Sequence, residues 1–409
     1  MKDRMFVVPG EFVPQNDTVT LLTYKRLRNL DLDIDVFSLK GIVDEDISEE
    51  LNNDSEFKKF NIKESVDFEW TVPRNHPMRL PASIFFMRKY VQDSLKEFEK
   101  KEYKYLFTSI VPGISHIAGY YIKKKHPDVI WYASFSDPFK GSPYKDNSSE
   151  NNNIIYNLMF EVGSFSLYNN RYEEVAINNA DKLVFICEEQ KDFTLKQYPN
   201  YDELNTKSII MPLTYISEWK MYSDLIQHKN NTDYDGKLAA VHLGRLYGLR
   251  RIDSFLDALY ELKQEDDNLS DKIVFHQYSE IQSDDIKKIN EYGLNDLFVI
   301  HDKVSYKKSI EIMKQSDILV LFDTLMPGKS IQPYLPSKIV EYLLLQKPIL
   351  GICESNSPSY RILKENNQFW VGSSKEEIKN NIKNLISNKP IVNNNVELYD
   401  SNGYNMLEL

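Results

Sequence analysis

VHLGRLYGLRR at residues 241–251 and LPSKIVEYLLLQKPIL at residues 335–350 are the stretches whose reading decides how this chain folds. The first runs an apolar strand into a Gly-Arg turn, Gly244 and Arg245, and sets Arg250 and Arg251 just ahead of an amphipathic segment. The second places Pro336 and Ser337 where a helix is expected to start, with Lys338 and Glu341 in its first turns and a further apolar run after Pro348. Glycine lets the backbone approach a ligand, and guanidinium groups bind phosphate oxygens in pairs. Amide groups at a helix start favour an anion, a lysine adds a point charge, and a carboxylate accepts ribose hydroxyl protons. Such groups after two strands of one sheet point to a site for a sugar nucleotide. Taken singly, a basic turn or a capped helix start is an ordinary surface feature; the order of the two along one sheet favours the site.

Working outward, apolar runs at 238–243, 273–276, 297–301, 318–322, 348–353 and 369–371 alternate with helical periodicity at 252–262, 309–313 and 339–345. That alternation predicts a parallel sheet covered by helices on both faces. The first half is less regular, with strands expected at 5–8, 34–37, 105–108, 129–133, 182–186 and 208–211 and helices at 18–29, 82–101 and 113–125. A further helix is expected at 376–385. A chain of 409 residues exceeds what one core supports. The expected architecture is therefore α/β, two Rossmann-like domains facing across a cleft, with ligands outside the carboxyl ends of the strands. The stretch 211–236, with Pro212 and the polar run HKNNTDYDG, marks the boundary. The domains expected are 1–215 on the acceptor side and 216–390 on the nucleotide-sugar side, with 391–409 crossing back. The Asn-rich stretch 146–153 reads as a surface insertion and the DLDID run at 31–35 as a surface strand entry.

The 61 acidic and 50 basic residues give a net charge of -11, which repels nucleic acid and excludes it as a partner class. Cys187 and Cys353 lie in apolar runs and read as buried thiols rather than a disulfide or metal framework. No apolar run reaches the roughly 20 residues that span a bilayer, and the N-terminal run is too short for a signal peptide, so a cytoplasmic protein is expected. The wealth of Asn, Lys, Ile and Tyr also suits an AT-rich bacterial genome.

The pattern GRLxxxRRxDxxLxAL followed by PSKIxEYLLxxKPIL resembles the C-terminal domain of GT-B glycosyltransferases, in particular the large retaining glycosyltransferase family 4. The resemblance implies that Arg245 and Arg250 hold the donor diphosphate beside Gly244, and that Glu341 binds the ribose. Many members carry a second Glu eight positions earlier that contacts the donor sugar, where this chain has Pro333. The Pro-Ser-Lys variant is similar to a subgroup of exopolysaccharide and cell-surface glycan enzymes. In it, backbone groups of residues 334–337, with Tyr334 and Ser337, and the Lys338 side chain are expected to replace the missing carboxylate.

In the first half, PGISHIAGYYIKKKHPDVIWYASFSDPF at 112–139 resembles the same subgroup. Asp137, after the strand, is the candidate to align or deprotonate an acceptor hydroxyl, although an Asp before Pro138 is also an ordinary loop cap. Ser136 lies in the same neighbourhood. His116 is the second catalytic candidate, and a lone His on an apolar helix face is more often structural. Gly10 after the first strand resembles the family's acceptor-side glycine. The resemblance implies same-face transfer in which the leaving diphosphate takes the acceptor proton, so positioning and charge stabilisation carry the reaction. It implies no cofactor and no metal, a nucleotide-diphosphate sugar as donor with UDP the expected nucleotide, and a glycan or lipid-linked acceptor. Aromatic and basic clusters at 74–90, with Phe85, Phe86 and Met87, and at 120–126 suggest a peripheral contact with the inner face of a membrane; core packing and a solvated face are the competing reading. Two rivals remain, a non-catalytic GT-B paralogue that binds glycan or chaperones a partner transferase, and a sugar-nucleotide epimerase.

Overall fold

The computed structural model describes residues 2–15, 18–65, 79–109, 113–143, 165–227, 236–388, 390 and 392–408. The stretch 146–153, nearly all of the polar run 228–236, and the first part of the 74–90 cluster with the Phe85 side chain lie outside the described residues. The chain forms two compact units, Met1–Thr214 with Ser401–Leu409, and Tyr215–Asp400.

In the first unit the strands are β1 (Arg4–Gly10), β2 (Asp33–Ser38), β3 (Phe60–Glu64), β4 (Tyr105–Ser109), β5 (Ile130–Ser134), β6 (Lys182–Phe185) and β7 (Ser208–Ile210). They form one parallel sheet in the order β3-β2-β1-β4-β5-β6-β7. Each central strand is apolar on both faces because helices cover both, which is why the runs read as strands in the sequence. The sequence reading missed β3, where only Phe60 is buried and the rest of the strand lies toward solvent at the sheet edge. It also placed the whole DLDID run at the surface. Asp35 is instead buried, since β2 is covered on both faces from Ile34 onward, and its carboxylate takes hydrogen bonds from Lys101 (2.7 Å), Tyr103 (3.0 Å) and Asn61 (2.5 Å).

Ser401 and Asn402 are held to the first unit by hydrogen bonds beside a buried ion pair. The Arg28 guanidinium meets the Asp54 carboxylate at 3.3 Å with both side chains 3% exposed, and Tyr24 donates its hydroxyl to Asp54 at 2.7 Å. Arg28 also donates to Asn402 Oδ1 at 2.9 Å, and Asn29 donates to the Ser401 carbonyl at 2.6 Å.

The second unit contains β8 (Leu238–Leu243), β9 (Ile273–Tyr278), β10 (Phe298–His301), β11 (Ile318–Phe322), β12 (Ile349–Ile352) and β13 (Val371–Gly372), parallel and in the order β10-β9-β8-β11-β12-β13. The helix Asp253–Glu265 buries Phe255, Leu256, Leu259 and Leu262 at helical spacing. Phe255 stands edge-on to Phe275 and Phe322, with ring centres 5.0 and 5.1 Å away. The Lys-Pro of the opening stretch also has a structural task. Lys347 is buried and its ammonium donates to the carbonyls of Met313 (3.1 Å), Lys314 (2.7 Å) and Ser316, which closes the carboxyl end of the helix Tyr306–Gln315. Burial pushes its pKa down to about 8.

The chain winds outward from β8 through β9 and β10, then returns to β8's other side with β11. Pairing between β8 and β11 covers only Ala240 with Ile318 and Val241 with Leu319. Beyond these residues the two strands no longer pair, at the point where strand order reverses, and such points are where open α/β sheets take ligands.

Removing one partner of the buried Arg28–Asp54 pair strands a charge in the interior. Asp54→Ala is therefore expected to cost about 3 kcal/mol or more, read as a lower urea midpoint for the first unit.

Candidate functional site

The site is built from the end of β8. The Leu243 amide donates to the Tyr342 hydroxyl at 3.2 Å, which ties the helix Ile339–Leu344 to this strand end. The Gly244 amide donates to the Tyr278 carbonyl (3.2 Å) and the Leu246 amide to the Glu280 carbonyl (2.9 Å), so the Gly-Arg turn continues the β8–β9 pairing. Gln277 donates to the Gly244 carbonyl at 2.7 Å. A side chain at residue 244 would put its Cβ 3.2 Å from His242 Nε2, a tight contact that the imidazole would have to yield to by a few tenths of an ångström.

Arg245 and Arg250 stand on the Tyr247 ring at 5.7 and 5.6 Å. The Arg245 side chain is 63% exposed, with Glu280 at 3.9 Å as its ion pair. Arg250 is half-buried, and its Nε has no hydrogen-bond partner among the described residues. Arg251 differs from both: it pairs with Asp253 at 2.9 Å.

Lys338 and Glu341 meet at Tyr306. The Lys338 ammonium lies 4.7 Å from the centre of that ring, and the Tyr306 hydroxyl donates to Glu341 Oε1 at 3.1 Å. Glu341 is buried, and its Oε2 has no partner among the described residues. Burial pushes the Lys338 pKa down while the Glu341 carboxylate opposes the shift, and burial beside Glu341 pushes the Tyr306 hydroxyl well up.

One sequence expectation about this segment is corrected. The helix begins at Ile339, not at Pro336 and Ser337, and is only six residues long. Residues 336–338 form the turn before it, with the Ile339 amide on the Pro336 carbonyl at 3.2 Å. The Tyr334 amide donates to Gln332 Oε1 at 2.6 Å. Ser337 is half-buried in the turn.

Sequence reasoning also missed a polar knot under this loop. Fully buried Gln332 donates to Asp323 Oδ1 (2.9 Å) and to the Thr324 carbonyl (3.0 Å), and the Thr324 amide donates to Asp323 Oδ1 at 2.7 Å. The Leu325 amide donates to the Leu249 carbonyl at 3.0 Å, which joins the loop after β11 to the Arg250 loop. Burial pushes the Asp323 pKa up to about 6, against the pull of Ser359, the Thr324 amide and Arg250. The one sequence cue was an Asp directly after an apolar strand.

In the first unit Gly10 closes β1 at φ 84°, where glycine is favoured, and its carbonyl accepts from the Leu39 amide at 2.6 Å. Ser136 and the exposed Asp137 form the bend after β5. The segment that follows them is fixed by buried Glu173, which accepts from the amides of Phe139 (2.7 Å) and Lys140 (3.2 Å) and from the Tyr198 hydroxyl (3.0 Å). His116 is not at a surface: it is fully buried between Trp131 and Phe135. Thr108 Oγ1 lies 2.7 Å from its Nδ1 and accepts from the Trp131 indole at 2.8 Å. Burial pushes its pKa down to about 3, so it is a neutral core histidine. In the 120–126 cluster Lys123 pairs with Asp181 at 2.8 Å, Lys125 pairs with Glu99, and Lys124 lies 5.9 Å from the Tyr120 ring centre.

Among the described residues no cluster of three or more His, Cys, Asp or Glu side chains is arranged to hold a metal ion, and no helix is long and apolar enough to cross a membrane.

Solved structures with this chain's arrangement of two sheets include the Anabaena protein HepE in complex with UDP and glucose, at TM-score 0.60 and 12% identity, covering 98% of this chain and 96% of that one. The fold is GT-B. Other GT-B neighbours are a sucrose-phosphate synthase from Thermosynechococcus elongatus (TM-score 0.60, 10% identity, 95% of this chain and 90% of that one) and the lipopolysaccharide outer core galactosyltransferase WaaB (TM-score 0.58, 12% identity, 97% and 93%). By sequence, an uncharacterized glycosyltransferase of Methanocaldococcus jannaschii is 25% identical over 245 residues, which span 59% of this chain and 57% of that protein. No family profile matches the chain.

Asp323 supplies a pH test of this GT-B unit. A carboxyl whose pKa is raised on folding holds its proton more tightly in the folded state, so its contribution to stability is present below about pH 4 and is lost as pH rises through about 6. Asp323→Asn, which keeps the Oδ1 acceptor, is expected to gain stability relative to wild type between pH 4 and about 6 and to hold that gain at pH 8. Urea unfolding at a series of pH values measures it.

Proposed function

We propose that this chain is a retaining glycosyltransferase that moves a sugar from a nucleoside-diphosphate sugar, with UDP as the expected nucleotide, to a glycan or lipid-linked acceptor in the assembly of bacterial surface polysaccharide. The observation that carries the reading is the unused Oε2 of buried Glu341, which Tyr306 holds beside Lys338 on the sheet end where the Gly244 turn leads to Arg250. Two cations, a glycine turn and a carboxylate with one oxygen unused match a diphosphate followed by a ribose. The neighbours support the same substrate class: HepE is seen with UDP-glucose, and TarM of S. aureus with UDP.

In this reading Arg245 and Arg250 take the diphosphate oxygens and Lys338 adds charge to the same group as it leaves. Tyr306 orients Glu341 so that Oε2 is offered to the ribose hydroxyls. Asp137, on a segment stiffened by Glu173, orients the acceptor hydroxyl. The retaining outcome rests on the resemblance to family 4, in which the departing diphosphate takes the acceptor proton and no side chain serves as nucleophile. A peripheral membrane contact through the remaining basic and aromatic side chains belongs to the same proposal.

A thermal-shift panel of UDP, GDP, TDP and ADP sugars tests the substrate class, since a true donor raises the melting temperature by mass action. Arg250→Ala and Lys338→Ala are each expected to weaken UDP binding by roughly 10- to 100-fold in calorimetry, the loss of a charge-assisted contact. Glu341→Gln is expected to weaken UDP while leaving inorganic diphosphate binding unchanged. Slow donor hydrolysis separates a transferase from a binding subunit, and no shift with any nucleotide sugar would sink the reading.

A further inference from the structure

His242 was not among the residues that the sequence patterns singled out, yet it occupies the topological switch point of the second unit. It is the penultimate residue of β8, 6% exposed, and its ring packs edge-on against Phe322 with centres 5.0 Å apart. Its Nδ1 lies 2.8 Å from the Val320 carbonyl, in the interval where β8 and β11 have ceased to pair. A carbonyl can only accept, so Nδ1 carries the proton. In the neutral ring Nε2 is then a bare acceptor. The ring is neutral because burial pushes its pKa down to about 4, with Arg250 and Lys338 adding to the shift.

Nε2 has no hydrogen-bond partner among the described residues, and it lies under the Gly244 turn. The Nε of the neighbouring Arg250 is a donor in the same condition. A buried acceptor and a buried donor at one switch point select their ligand by chemistry. A phosphate oxygen carries no proton near neutral pH, so it suits Arg250 but faces the His242 lone pair unfavourably. A hydroxyl suits either, since it can donate to Nε2 of His242 or accept from Nε of Arg250. Glu341 already offers its free oxygen to the ribose.

We propose that His242 is a specificity-determining residue whose Nε2 accepts a hydrogen bond from a hydroxyl of the donor's sugar. The inference rests on the nucleotide-sugar reading of the site and deepens it.

The test titrates wild type, His242→Phe and His242→Gln with UDP and with the tightest binder among UDP-glucose, UDP-galactose and UDP-N-acetylglucosamine. In His242→Phe, UDP affinity is expected to stay within about twofold while the sugar nucleotide weakens by about tenfold, the scale of one buried hydrogen bond. His242→Gln restores an acceptor oxygen and is expected to recover part of that loss for the sugar nucleotide, whereas a purely structural role through Val320 moves UDP and the sugar nucleotide together. Equal weakening of UDP and the sugar nucleotide, or no weakening of either, overturns the proposal. Wild-type protein that binds neither ligand instead overturns the UDP-sugar reading beneath it, and melting temperatures within a few degrees of wild type show that both variants fold.

Discussion

The parting of β8 and β11 is the constraint on which the second unit's chemistry depends. A parallel sheet satisfies its backbone groups by pairing, and each place where pairing stops leaves polar groups that must be met in another way. Here the Val320 carbonyl is met by the His242 ring and the Leu243 amide by the Tyr342 hydroxyl. These substitutes bring β8, β11 and the helix Ile339–Leu344, far apart in sequence, to one strand end. The helix carrying Glu341 is placed by Tyr342, one residue along, so a backbone requirement of the sheet fixes where the carboxylate stands.

Charge is distributed with similar economy. The chain is acidic overall, yet Arg245, Arg250 and Lys338 cluster on one sheet end, two around the Tyr247 ring and one on Tyr306. Aromatic faces hold cations in place without neutralising them, as a carboxylate would. Arg251 shows the contrast, since Asp253 occupies it. Arg250, on an aromatic face with its Nε unpartnered among the described residues, keeps its charge for a ligand.

Much of this was legible in the chain itself, for identifiable reasons. Strands buried on both faces announce themselves as apolar runs, which is why β8 and β11 were located to the residue. β3 was hidden because an edge strand with one buried side chain carries little pattern. Arg245, Arg250, Lys338 and Glu341 were found because charged residues directly after strands are informative in α/β folds. The helix start at Pro336 and Ser337 was misplaced because Pro-Ser also suits a turn, and the hydrogen bond from Ile339 to Pro336 made it one. His242 and Gln332 escaped because their partners, Val320 and Asp323, lie across a strand gap or a loop that no local pattern records. His116 read as a candidate because its burial between Trp131 and Phe135 is a tertiary fact.

The return of residues 401–409 to the first unit makes the second unit an insertion in the first. During synthesis residues 215–400 emerge as one unbroken piece and can reach a complete core as soon as they are made. The first unit waits longer, because Arg28, Asn29 and Asp54 are translated early while Ser401 and Asn402 arrive only after the whole inserted unit. The order of maturation is thus inverted relative to the order of translation: the half made second can finish first, and the half made first closes last.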